Sequence, residues 1–365
     1  MKVALVHDFL TQYGGAERVL DAFLEIFPEA PIFTLVYDQE KMGRFYGKYN
    51  IQTSFIQNML FGVKKYKWYL ALMPKAIEAF DFSGYDLVLS DSSAFAKGVV
   101  TSKKTTHICF LHTPTRYLWS DSNSYLKTAP IPGIVRPVMP KVIDKLKIWD
   151  LKAAKRPDYY IANSENINLR MQKYYHRAAD TIIWPPVSTK RFSTAKKIGD
   201  YFFLVSRAEP YKKTDMVIEA FNRLGKNYKL IIAGSGTKIN EFKSCAEENI
   251  KFVGRVSDEE LAKLFVNAKA LIFPQEEDAG ISMLEAMASG RPVIAYRAGG
   301  AKEIVIDKKT GEFFDEQTIE SIMKVVKQFR ESQYDPNLIR QHALKYDKEI
   351  FKGKIKKFIT SKINK

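Results

Sequence analysis

The stretch ALIFPQEEDAGISMLEAMASGRPVIAY, residues 270–296, predicts a strand, a loop, a helix and a second strand in immediate succession. Ala270–Phe273 and Pro292–Tyr296 are short apolar runs bounded by turn residues, and Ser282–Ala288 between them has helical character. A strand followed by a crossover helix and another strand is the repeating unit of a parallel sheet. Within it, Glu277 falls in the loop before the helix and Glu285 inside the helix, with seven residues between them. Two carboxylates so placed can accept hydrogen bonds from two hydroxyl-bearing parts of one ligand. The amides of Ala279, Gly280 and Ile281 at the helix start suit a further anionic or hydroxyl contact. A helix with an acidic first turn would account for Glu276–Asp278 through the helix dipole alone. It leaves the small-residue run Ala286–Gly290 unexplained.

The same alternation extends outward in both directions. Towards the N-terminus it predicts strands at Tyr201–Ser206, Lys229–Ala233 and Ile250–Val253, with helices at Asp215–Leu224 and Asp258–Asn267. It is interrupted at Trp184-Pro185-Pro186-Val187, where consecutive prolines stop regular structure. Beyond that point it resumes, with strands at Val3–His7, Ile32–Val36, Asp86–Ser90, His107–Leu111 and Tyr159–Ala162, and helices at Ala16–Ile26 and Glu165–Tyr175. The expected organisation is therefore α/β in two domains, residues 1–185 and 186–345. A lysine-rich helical tail, residues 346–365, is expected to return to the first of them. A length of 365 residues agrees with two cores rather than one.

Composition narrows the functional classes. Two isolated cysteines, Cys109 and Cys245, exclude a disulfide framework and a cysteine zinc site. The net charge of +16 is shared by both halves, so the expected partners are anionic. The apolar run after Met1 is too short for a signal peptide, and no segment approaches the ~20 apolar residues of a spanning helix. The expectation is a cytoplasmic protein with at most peripheral contact at the inner membrane face. Two basic, aromatic-bearing segments, Lys64–Tyr69 and Lys141–Arg156, suit an anionic lipid surface, although both read equally well as core-facing amphipathic helices with a solvated basic face.

Parallel sheets bind ligands at the carboxyl ends of their strands, and several motifs fall there. Gly14-Gly15 follows the first strand and opens a helix, where amides can face phosphate. A simple turn would also need such glycines. Arg207 and Lys212 follow the first strand of the second domain and together suit a diphosphate. The alternative is a solvated basic turn. His112 ends a strand, as does His7-Asp8, which is read as supporting structure. Asp91-Ser92-Ser93 is read as an Asx or serine turn, with acceptor binding as the alternative.

With Glu277, Glu285 and the EAMASGRPVIA run behind them, the chain resembles the retaining glycosyltransferases of family 4. The segments VHDFLTQYGGAERV, LHTPTRYLW, IANSENINLRMQKYY, PPVSTKRF, SRAEPYKKTDMVIEAFNRL, IAGSG and FVGRVSDEEL are similar to that family in order along the chain. HTPTRYLW and EEDAGI are similar to a bacterial branch of GDP-mannose-dependent mannosyltransferases of surface-polysaccharide synthesis. The resemblance implies the GT-B fold, two facing Rossmann-like domains with an interdomain cleft. It implies that Gly14 and Gly15 meet the donor diphosphate, that Arg207 and Lys212 neutralise it as leaving group, and that Glu285 accepts from the ribose. Glu277, with Gly280 and Ile281, would hold the transferred sugar, His112 would reach it, and Val256 would meet the nucleobase. The branch usually has Phe where this chain has Ala279, which bears on the shape of the sugar pocket. The implied partners are a nucleotide-sugar donor and a lipid-linked or growing glycan acceptor, with no nucleic acid, no metal and no cofactor; retention would follow front-face attack. A nucleotide-sugar epimerase and a basic nucleic-acid-binding protein are the alternatives.

Overall fold

Val3–His7 forms β1, and all five of its residues are buried, as expected of a strand covered by helices on both faces. The computed structural model describes the chain except residues 123–125, 127–132, 196, 208, 237, 364 and 365. Contacts divide it into two units, Met1–Pro185 with Phe351–Lys365, and Pro186–Ile350.

In the first unit β1 is followed by α1 (Gly15–Ile26), β2 (Ile32–Thr34), α2 (Gln39–Tyr46), β3 (Ile51–Thr53), α3 (Met73–Glu78), β4 (Leu87–Ser92) and β5 (Thr106–Leu111). Then come α4 (Met139–Ala153), β6 (Tyr159–Ala162), α5 (Glu165–Tyr175) and β7 (Thr181–Ile182). The strands form one parallel seven-stranded sheet in the order β3-β2-β1-β4-β5-β6-β7. Side chains alternate across it. Val3, Leu5, Leu87 and Leu89 join Val19, Leu20 and Phe23 of α1 on one face. Ala4, Val6 and Val88 join Ile77, Ile143 and Leu146 on the other. Phe351, Ile355 and Ile359 complete the first of these cores, with Phe351 packed against Phe23 and Phe110.

The second unit repeats the plan with β8 (Phe202–Val205), α6 (Thr214–Leu224), β9 (Leu230–Ala233), α7 (Ile239–Ser244), β10 (Ile250–Gly254) and α8 (Asp258–Asn267). It continues through β11 (Leu271–Phe273), α9 (Ile281–Ala288), β12 (Val293–Tyr296), α10 (Ala301–Ile304), β13 (Gly311–Phe314), α11 (Ile319–Gln328) and α12 (Pro336–Leu344). The six strands are parallel, in the order β10-β9-β8-β11-β12-β13. The final helix, α13 (Lys348–Ile363), is divided between the units at Ile350. Residues 346–350 stay with the second unit because Val187 N donates to Tyr346, Lys348 N donates to Val187, and Asp347 accepts from the Thr189 hydroxyl.

In each sheet the strand order reverses direction once, between β1 and β4 and between β8 and β11. Helices on opposite faces diverge there, which opens a crevice at the carboxyl ends of those two strands.

Candidate active site

At the first reversal, the ends of β1 and β4 are held in register, with His7 beside Asp91. His7 Nδ1 lies 2.8 Å from Asp91 Oδ2, and its Nε2 is 3.5 Å from Glu17 in the first turn of α1. Asp91 uses its other oxygen to accept from Nε2 of His112, at the end of β5. Burial alone would depress the His7 pKa, but hydrogen bonds and charge from Asp91 and Glu17 raise it to about 10. Asp91 is pulled the opposite way. Burial would raise it, yet His112 and His7 hold it below the usual carboxylate range. His7 is therefore an imidazolium clamped between two carboxylates. The contact from Nε2 to Asp91 fixes the orientation of the His112 ring. Asn163 fixes the same residue by donating to its carbonyl at 2.9 Å.

The neighbouring loop is tied down by Asp8, whose carboxylate accepts from the four successive amides of Ser93, Ala94, Phe95 and Ala96. The turn after β4 thus takes its shape from Asp8, while Asp91 serves the histidines. Gly14 N donates to Glu17 at 2.7 Å, so that amide is engaged within the cluster, and Gly15 beside it is exposed.

At the second reversal, β8 ends at Val205, buried Ser206 follows, and Arg207 after it is exposed. Lys213 adopts left-handed φ of 53°, unusual for a side chain of its size, immediately before α6. Its neighbour Lys212 forms an ion pair with Glu277 of the loop after β11, both side chains being partly buried. That loop is built by close backbone approach. A Cβ on Gly299, at φ +54°, would stand 2.3 Å from the Glu277 carbonyl, which accepts from Gly300 N at 2.8 Å. Gly280 turns the chain into α9 at φ +60°, where a Cβ would meet Met283 Cε at 2.3 Å. Ala279 is buried, Ile281 begins the helix, and Glu285 is a buried carboxylate within it. Val256 lies two residues past β10, partly buried. Among the described residues, no group of three or more His, Cys, Asp or Glu side chains is arranged to hold a metal ion.

The structure thus joins Lys212 directly to Glu277, residues for which the family resemblance implies separate roles. The His7–Glu17–Asp91 cluster behind His112 is what sequence reasoning missed. His7 ends β1 and Asp91 is the penultimate residue of β4, and only the pairing of the two strands reveals that they meet.

Residues 187–348 match the family model of glycosyl transferases group 1. Over 120 residues, 31% of this chain, it is 36% identical to an uncharacterized glycosyltransferase of Methanocaldococcus jannaschii, covering 34% of that protein. Over 159 residues, 39% of this chain, it is 33% identical to a GDP-mannose-dependent alpha-(1-6)-phosphatidylinositol monomannoside mannosyltransferase of Mycolicibacterium smegmatis, covering 42% of it. The chain therefore matches less than half the length of these relatives. The fold is similar throughout to the crystal structure of Anabaena HepE in complex with UDP, with a TM-score of 0.74 at 17% identity, covering 99% of this chain and all of that one. The architecture is GT-B, and the likenesses together support a GT-B glycosyltransferase.

Proposed function

We propose that this protein is a retaining glycosyltransferase of family 4 that transfers a hexose, mannose, from GDP-mannose to a lipid-linked or growing surface glycan. The observation that carries the proposal is the second unit's strand-end site, where Lys212 and Glu277 pair beside a glycine-built helix start and buried Glu285 follows. A nucleotide-sugar offers matching chemistry, with a diphosphate for Arg207 and Lys212, ribose hydroxyls for Glu285 and sugar hydroxyls for Glu277 and the Gly280 and Ile281 amides. Breaking the bond from sugar to diphosphate builds negative charge on the departing phosphate, and fixed cations and amides lower that barrier. Arg207 and Lys212 supply this charge in our reading, so the reaction needs no metal. In the first unit, His112, its ring oriented by Asp91, is the proposed contact to the transferred sugar, with the Gly15 amide at the diphosphate. The acceptor attacks from the face the phosphate leaves, and the phosphate takes the acceptor proton.

The mannosyltransferase relative supports mannose and guanine as sugar and base. Calorimetric titration with GDP-, UDP-, ADP- and dTDP-sugars tests this, repeated with Arg207→Ala and Glu285→Ala. Selective binding of GDP-mannose, lost in both variants, is expected. Selective binding of another nucleotide-sugar overturns the donor assignment, and product formation without acceptor transfers the reading to an epimerase.

A further inference from the structure

Residues 41–77 of the first unit contain seven lysines and arginines and not one aspartate or glutamate. Within this acid-free stretch the chain between β3 and α3 is folded into short 3-10 turns, Phe55–Asn58 and Tyr66–Leu72. Its inner side is anchored, with Ile56, Leu70 and Met73 buried in the sheet's core and Val63, Tyr66 and Tyr69 packed against it. Its outer side carries the largest apolar groups. Leu60 is 75% and Phe61 52% exposed, and Trp68 is exposed beside them.

This tip is ordered by its own contacts. Phe61 takes left-handed φ of 56°, which costs a bulky residue energy and projects it from a tight turn. Its ring meets Trp68 edge to face at 6.5 Å, and Lys65 Nζ sits 5.2 Å from one ring and 4.1 Å from the other. Lys64 and Lys67 flank them, both exposed. Strain spent on presenting a leucine, a phenylalanine and a tryptophan to water needs a partner that covers them.

The charge pattern selects that partner. Aliphatic and aromatic side chains flanked by lysines, in a stretch of chain without a carboxylate, match a layer whose anionic headgroups lie above hydrocarbon. Lysine stems lie along the apolar boundary while their ammonium groups stay with phosphate, and tryptophan favours that depth. A nucleic acid would use the lysines but offers Leu60 nothing of comparable depth. We propose that the Leu60–Trp68 tip docks the first unit on an anionic lipid surface.

The other basic segment behaves differently. In α4, Met139, Ile143 and Leu146 face the core, and Trp149 packs on Phe95 while its indole donates to Glu78 at 2.7 Å. Its lysines are the solvated face of an ordinary amphipathic helix, although Ile148 remains exposed. The proposal does not rest on the transferase reading, because it concerns a surface and its test contains no donor.

Vesicle co-sedimentation at physiological salt provides the test, using phosphatidylcholine alone and phosphatidylcholine with a third replaced by phosphatidylglycerol. The protein should bind the anionic vesicles selectively. Lys64→Gln/Lys65→Gln/Lys67→Gln should weaken binding roughly a hundredfold, about fivefold per lysine. Leu60→Ser/Phe61→Ser should weaken it about tenfold or more, and Ile148→Ser should leave it unchanged. Circular dichroism verifies that each variant is folded. Failure to bind anionic vesicles overturns the proposal, as does equal binding to both vesicle types. So does a Leu60/Phe61 variant that binds like the parent, or one no weaker than Ile148→Ser. Heparin binding without vesicle binding would reassign the patch to soluble polyanions.

Discussion

The clamped imidazolium of His7 makes the first unit's stability depend on alkaline pH. An unfolded histidine releases its proton near 6.5, whereas folded His7 keeps it until about 10. The contribution is therefore complete below pH 6.5 and is lost as pH rises through about 10. At 1.36 kcal/mol per pKa unit it amounts to roughly 5 kcal/mol, of which about half should disappear between pH 7 and 9. Urea unfolding followed by tryptophan fluorescence reads this unit selectively, because Trp68, Trp119, Trp149 and Trp184 all lie in it. The His7→Gln variant supplies the comparison. It cannot hold the extra proton, so its stability should vary much less over the same range, and the gap between variant and parent should narrow by roughly 2 to 3 kcal/mol. Parallel loss of stability in both proteins would refute the clamp and make His7 a neutral hydrogen-bonded ring.

Other consequences are testable in the same way. Replacing Asp8 by Asn turns one oxygen that receives two amides into a donor, and should cost about 3 kcal/mol in the same fluorescence assay; a loss below about 1 kcal/mol would contradict the four-amide clasp. Gly280→Ala forces a side chain into positive φ against Met283 and should cost about 1–3 kcal/mol in urea unfolding followed by circular dichroism. An unchanged midpoint would show that the turn accommodates a Cβ. Lys212→Met should lower transfer turnover about a hundredfold or more if it neutralises the leaving phosphate, with parent-like kinetics counting against that role. Chelation with EDTA should leave turnover unchanged, whereas loss restored by added magnesium would overturn the metal-free reading.

The strongly patterned elements were legible because their hydrophobic periods were uninterrupted. β1, α5 and α8 begin and end where the residue pattern changes. The edge strands β3, β7 and β13 were not, although β10, also at an edge, was. β3 has three half-exposed or exposed residues, β7 has two residues, and β13 begins on a glycine whose Cβ would collide with the Val293 carbonyl. Such strands exist through the neighbour they pair with, which no local pattern records. The site divides along the same line. Glu277, Gly280 and Glu285 share one strand–loop–helix unit, so their spacing could be read directly. The pairing of Lys212 with Glu277 joins residues 65 positions apart, and His7 meets Asp91 across 84. Two adjacent carboxyl ends in a parallel sheet are brought together by a complete crossover, and topology rather than spacing makes them neighbours.

The last helix also bears on how the molecule is made. Phe351, Ile355 and Ile359 belong to the core beside Phe23 and Phe110, yet the ribosome reaches them only after the whole of Pro186–Ile350. At roughly 5–20 residues per second, that interval is about ten to thirty seconds. Throughout it the nascent first unit shows an uncovered aromatic face, a natural landing place for a holdase chaperone. Synthesis of α13 closes it.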